Sequence, residues 1–206
     1  FDAPWKDIEA QATSRRPTAS RPPHAAGRDR MAYATAEPEE KYRLAATARG
    51  KNRVVEQLVA KHEGDPTLVI GQYLDQLHTL AEHLNADLIT GETTVHERQR
   101  LFDAFRSGEI TKLVVSKVAN FSIDLPEASV AIQVSGSFGS RQEEAQRLGR
   151  IMRPKGDGRT AHFYTVVARD TVDQDFAAHR QRFLAEQGYA YSIVDAEDLG
   201  LDPAAE

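Results

Sequence analysis

From Thr67 to Val194 the chain alternates short apolar runs with amphipathic stretches, and this rhythm constrains the fold more than any other feature. Thr67–Ile70, Leu88–Ile89, Lys112–Ser116, Val130–Val134, Ala161–Val167 and Tyr189–Val194 read as strands. Between them, helical patterns place Leu74, Leu77, Leu80, Ala81 and Leu84 on one inward face, and Leu101, Phe102 and Phe105 on another. Strands joined through helices pair in parallel, and a parallel sheet buries both of its faces. The expected fold class is therefore α/β, a parallel sheet with helices on both faces.

The flanks differ from this middle. Residues 12–30 carry arginine and proline without one large apolar side chain, too little to offset the entropy of ordering them, and are expected to be irregular. From Met31 a helical pattern runs to about His62, with Val54, Val55, Leu58 and Val59 on one side, until Gly64-Asp65-Pro66 stops it. Asp195, Glu197, Asp198, Asp202 and Glu206 give the last residues the character of an acidic solvated tail. The expected division is 1–30, a largely irregular remnant of an inter-domain region; 31–198, one domain; and 199–206, a disordered tail.

Composition narrows the function. The 206 residues have 40% hydrophobic content and a net charge of -5, so no global positive field advertises a nucleic-acid partner. Positive charge is instead local. Between residues 141 and 159, Arg141, Arg147, Arg150, Arg153, Lys155 and Arg159 stand against Glu143, Glu144 and Asp157. There is no cysteine and no long apolar run, which argues against disulfides, cysteine-bound metal and a membrane span, and makes the cytoplasm the default location. The histidines lack ligand spacing, so no metal site is expected.

In open parallel sheets, ligands gather at the carboxyl ends of the strands. Three such loops are rich in small polar residues: Gly71-Gln72, Gly91-Glu92-Thr93-Thr94, and the stretch from Ser116 and Lys117 to Pro126. Glycine, hydroxyls and free amides at helix starts suit phosphate oxygens, although Thr94 also opens a capping box with Glu97. The arginine segment follows the next strand. If residues 141–150 are helical, Gln146 and Arg150 share a face, with Arg153 one turn later and Pro154 as the stop. Guanidinium forks there suit charge on a phosphoryl group.

Val69-Ile-Gly-Gln-Tyr73, Gly91 through Arg98, Ser116 through Pro126 and Gln146 through Arg153 resemble, in order and at suitable separations, motifs IV, IVa, V and VI of superfamily 2 helicases. Ser-Ile-Asp-Leu-Pro-Glu-Ala, the glutamine opening motif VI, and Ala-Arg-Asp-Thr-Val-Asp-Gln-Asp-Phe are similar to the XPB-type branch, though Ser122 stands where motif V carries glycine. The resemblance implies a second RecA-like motor domain of an ATP-dependent 3′-5′ DNA helicase or translocase of the DNA repair type, in a bacterial cytoplasm beside the nucleoid. It implies Arg150 and Arg153 as arginine fingers, Gln146 near the terminal phosphate, and Asp124 at the ribose or relaying nucleotide state. Gly91, Thr93, Thr94, Ser116 and Lys117 would hold the backbone of single-stranded or forked DNA without regard to sequence, and Phe138 would stack on a base.

A phosphate loop is missing. No Gly-x-x-x-x-Gly-Lys-Ser/Thr string occurs; Gly50-Lys51 is followed by Asn52 and lacks the earlier glycine. ATP and Mg²⁺ would be bound mainly by a first RecA-like domain, the chain's expected partner, and the chain alone is expected not to hydrolyse ATP. The competing readings are a non-catalytic DNA-binding or interaction module and half of another nucleotide-using α/β enzyme such as a glycosyltransferase. Within residues 12–30, back-translation of Gln11 to Arg21 with one G restored after the glutamine codon can give Gly-Tyr-Ile-Ala-Pro-Ala-Asp-Cys-Val-Glu. That wording resembles the XPB type, so the stretch is read as a frame-slipped segment restored just before Met31.

Overall fold

The computed structural model describes residues 11–14, 31–117, 128–135, 162–168, 171–173, 175, 178 and 193–201. Its strands are β1 (Gln11–Ser14), β2 (Thr67–Gly71), β3 (Asp87–Ile89), β4 (Lys112–Ser116), β5 (Val130–Gln133), β6 (His162–Thr165), β7 (Val167–Ala168) and β8 (Ile193–Asp195). The helices are α1 (Pro38–Ala46), α2 (Arg49–Lys61), α3 (Leu74–Leu84) and α4 (Val95–Ser107). Five strands form one sheet in the order β3-β4-β2-β5-β6, every pair parallel, as the alternating sequence requires.

Successive residues of each strand serve opposite faces. Leu68, Ile70, Leu113, Val115, Ala131 and Phe163 pack with Leu101, Phe102 and Phe105 of α4. On the other side, Val69, Val114, Val130, Ile132 and Tyr164 meet Val54, Val55 and Leu58 of α2 and Leu77, Leu80 and Leu84 of α3. This two-faced burial is why the strands read as unbroken apolar runs.

Several elements depart from the sequence expectation. The run from Met31 to His62 is broken twice. Residues 31–35 are helical, but Glu37 is extended (φ -67°, ψ 159°), because a residue preceding proline is disfavoured in the helical region, and Pro38 then opens α1. The second break follows Thr47, whose hydroxyl donates to Arg43 O at 2.8 Å beside its own backbone amide, and α2 restarts after an extended Ala48. On α3, Leu74 is exposed and Gln76 is buried in its place, because its Nε2 finds Ala46 O and Asn52 Oδ1, each at 3.0 Å.

The expected strand 161–167 divides. Its main part is β6, while β7 leaves for a second sheet, β7-β1-β8, in which Gln11–Ser14 pairs in parallel with both neighbours although residues 12–30 read as irregular. The acidic tail also begins later than expected. Ala196 and Leu201 are buried against the α2 and α3 side of the core, and Leu201 N donates to Ala196 O, so these apolar residues anchor a short 3-10 turn (Ala196–Leu199).

At the amino end of the main sheet, His62 Nε2 lies 2.8 Å from Tyr164 Oη and Nδ1 lies 3.4 Å from Asp65 Oδ2, with the His162 ring 5.0 Å away. Burial outweighs the Asp65 contact and lowers the His62 pKa below its ordinary 6.5. The unfolded chain then binds a proton at higher pH than the folded one, so stability from this group is full above 6.5 and declines as pH falls through 6.5 toward the lowered value. Unfolding midpoints measured from pH 7.5 to pH 5 should fall less steeply in His62→Gln than in the parent.

Candidate functional site

The carboxyl ends of β2, β3, β4 and β5 lie on one edge, since those strands are mutually parallel. At its centre β2 ends on Gly71. A Cβ there would stand 2.7 Å from Leu77 Cδ2, 2.9 Å from Val134 Cγ1 and 3.0 Å from Ser135 Oγ, all inside ordinary contact. The absent side chain lets three backbone segments meet. Gln72 N donates to Ser135 Oγ at 2.7 Å, Lys117 N donates to Gly71 O at 2.7 Å, and Val134 N donates to Ile70 O at 2.9 Å. The turns leaving β2, β4 and β5 are thereby fixed against one another.

Beneath that junction is a buried charge. Lys51 occupies the apolar stripe of α2, three, four and seven residues before Val54, Val55 and Leu58, and is 1% exposed. Its Nζ donates to Val134 O at 3.0 Å and pairs with Asp173 Oδ2, an oxygen that also accepts from Ala168 N at 3.0 Å. Three separate parts of the chain converge on this pair: the start of α2, the end of β5 and the segment after β7. The ammonium is thus held inside the protein.

The β3 end is organised by hydroxyls. Thr93 Oγ1 accepts from Thr90 N at 2.9 Å, and Thr90 Oγ1 accepts from Glu92 N at 3.2 Å. Arg98 Nη2 reaches back from α4 to Thr90 O and Thr93 O at 3.4 and 3.3 Å, tying the turn to the helix. Thr94 is the N-cap, its Oγ1 accepting from Glu97 N at 3.2 Å. Only half of the expected capping box forms. Arg100 takes the Glu97 carboxylate with two hydrogen bonds, at 2.9 and 2.7 Å, and holds its pKa below the usual range.

Of the residues singled out from sequence, Gly91 and Thr94 are exposed at this edge, while Thr93 and Lys117 are half-buried there. Ser116, the last residue of β4, is 2% exposed. Asp124, Phe138, Gln146, Arg150 and Arg153 lie outside the described residues. Among the described residues no cluster of His, Asp or Glu could hold a metal, and no helix is long and apolar enough to cross a membrane.

The architecture has clear counterparts. The C-terminal domain of the DEAD-box protein Dbp5 superposes with a TM-score of 0.61 at 19% identity, covering 73% of this chain and 86% of that domain. The Escherichia coli DEAD-box protein SrmB gives 0.52 at 21% identity, over 71% of this chain and 82% of that one. At such identities the likeness shows the fold alone, a RecA-like parallel sheet covered by helices. Sequence narrows the class further. The family described as ERCC3/RAD25/XPB C-terminal helicase matches residues 29–202, and the chain belongs to that family.

Among curated relatives, the DNA 3′-5′ helicase XPB of Kineococcus radiotolerans is 71% identical over 97% of this chain and 36% of its own length. The protein of the same name in Mycobacterium tuberculosis is 62% identical over 99% of this chain and 37% of its own length. The XPB subunit of the general transcription and DNA repair factor IIH of Drosophila melanogaster is 39% identical over 79% of the chain. The chain thus spans little more than a third of the two bacterial relatives.

Sequence reasoning passed over Lys51, Asp173, Ser135 and Arg98 as site-building residues. For Lys51 a signal existed, a lysine in register with a valine and leucine stripe. For Asp173 and Ser135 nothing local distinguishes them, since their partners are distant in sequence.

Two stability measurements follow. Gly71→Ala should destabilise the fold by about 1–3 kcal/mol in denaturant titration, through the overpacking its Cβ would cause. Lys51→Met should cost about 3–5 kcal/mol by stranding Asp173, whereas Lys51→Met with Asp173→Asn should recover a substantial part of the loss.

Proposed function

We propose that this chain acts as the second motor half of an ATP-driven 3′-5′ DNA helicase or translocase of the repair type, working in the bacterial cytoplasm beside the nucleoid. The observation that carries the proposal is the meeting, at one sheet edge, of Gly71-Gln72, Gly91 to Thr94 and Ser116-Lys117, three of the four motif segments read from the sequence. The names of the relatives support the activity and its polarity.

In this reading a first RecA-like domain outside these 206 residues cradles ATP and its Mg²⁺, because the chain has no phosphate loop and Lys51 is committed to Asp173 and Val134. The chain supplies Arg150 and Arg153 as fingers on the transferring phosphoryl group, with Gln146 beside it and Asp124 at the ribose. Guanidinium groups neutralise charge that develops during transfer and keep their own charge throughout. Gly91, Thr93, Thr94 and Lys117 hold a DNA backbone, and Phe138 stacks on a base. Contacts to phosphate carry no sequence information, so the grip is sequence-independent and weakens with salt. Closure of the cleft between two such domains on ATP, and its opening after hydrolysis, moves one grip relative to the other.

Mixing the chain with a separately produced first motor domain should yield DNA-stimulated ATP hydrolysis. Arg153→Ala should lower that turnover by about 10³-fold. Absence of stimulation, or stimulation indifferent to Arg153→Ala, overturns the proposal.

A further inference from the structure

We infer that Arg98 is a positioning residue of the DNA grip: from α4 it sets the Thr90–Thr93 turn so that the exposed tip of that turn takes a phosphate. This rests on the function proposed above, in which Gly91, Thr93 and Thr94 hold a DNA backbone. The turn is closed by Thr93 N donating to Thr90 O at 3.3 Å, with Gly91 and Glu92 exposed at its centre. Arg98 Nη2 donates to the carbonyls of both end residues, Thr90 O at 3.4 Å and Thr93 O at 3.3 Å. Both carbonyls are thus directed to the guanidinium, and among the described residues the Gly91 amide has no acceptor. Carbonyl oxygens repel a phosphate and amides attract it, so holding these carbonyls toward the helix suits the tip to an anion.

Support of the fold alone does not favour an arginine at this place. A cation at the start of a helix opposes the helix dipole, and a half-buried charge without a counter-ion is costly. Arg98 is the fourth residue of α4, and the neighbouring carboxylate of Glu97 is taken by two hydrogen bonds from Arg100. Among the described residues Arg98 forms no ion pair, and its buried Nε has no partner. Nor does the turn need it for closure, since Thr93 Oγ1 and Thr90 Oγ1 already accept from Thr90 N and Glu92 N. What Arg98 adds is the placement of that closed turn against α4, whose N-cap Thr94 is another of the proposed DNA contacts.

The test uses the chain together with a first motor domain and follows ATP hydrolysis against the concentration of a single-stranded oligonucleotide, for the parent, Arg98→Met and Arg98→Lys. Lysine keeps the charge, but its stem is shorter, and contacts already at 3.3 and 3.4 Å leave no slack for it to restore the bridge. Both variants are expected to raise the DNA concentration for half-maximal stimulation by about 5- to 10-fold, with kcat at saturating DNA and KM for ATP within about twofold of the parent. The salt dependence of that concentration should stay as in the parent. Circular dichroism at the assay temperature confirms folding, and Arg98→Lys carries the test where Arg98→Met fails to fold. A parent-like half-stimulating concentration in Arg98→Lys shows that charge alone suffices and overturns the positioning role, leaving the motor reading intact. A fall in kcat with that concentration unchanged does the same, being the mark of a merely structural role. A salt slope lowered by about 1 in Arg98→Met makes Arg98 itself a phosphate contact and also overturns it. An inactive parent mixture overturns the motor reading and this inference with it.

Discussion

The carboxyl edge of the sheet depends on a side chain that Gly71 does not have. Leu77, Val134 and Ser135 all approach within 3.0 Å of where a Cβ on Gly71 would stand. Two short hydrogen bonds then become possible, from Gln72 N to Ser135 Oγ and from Lys117 N to Gly71 O. The turns leaving β2, β4 and β5 are thereby tied to one another at the carboxyl edge of the sheet.

How much of this was legible in sequence follows the range of the interactions. Strands β2, β4 and β5 and helices α3 and α4 stand close to where the residues place them, because a doubly buried strand must be apolar throughout and Thr94 advertises its cap. The capping box was half right for a local reason: Arg100, three residues on, outcompetes the N-cap amide for Glu97. The break at Pro38 was written in the chain and needed only the rule for residues before proline. Less legible was the exchange of Leu74 for Gln76, since the acceptors that make a buried glutamine affordable sit on α1's last residue and on α2. The division of one expected strand into β6 and β7 depends on β1, more than a hundred residues earlier in the sequence. Of the candidate site, Gly91, Thr93, Thr94, Ser116 and Lys117 lie at or beside the carboxyl ends of β3 and β4, with Ser116 buried.

The two ends of the sheet are chemically distinct. The carboxyl rim offers hydroxyls, a half-buried lysine and helix starts. The amino end offers a close-packed group of aromatic and imidazole rings, His62, His162 and Tyr164, with one carboxylate nearby. The carboxyl rim is thus the more polar of the two among the described residues.

The buried Lys51 also has a bearing on how the chain reaches its fold. Its carbonyl partner is 83 residues downstream, and its carboxylate partner is later still. During synthesis from the amino end, α2 emerges with a charged group at the start of its apolar stripe and its partners not yet made. Docking α2 onto β2 at that stage would bury an unpaired ammonium, so the helix gains a stable seat only once the region around Asp173 has been made. A single lysine thereby penalises the docking of α2 before the part of the chain carrying Asp173 has been made.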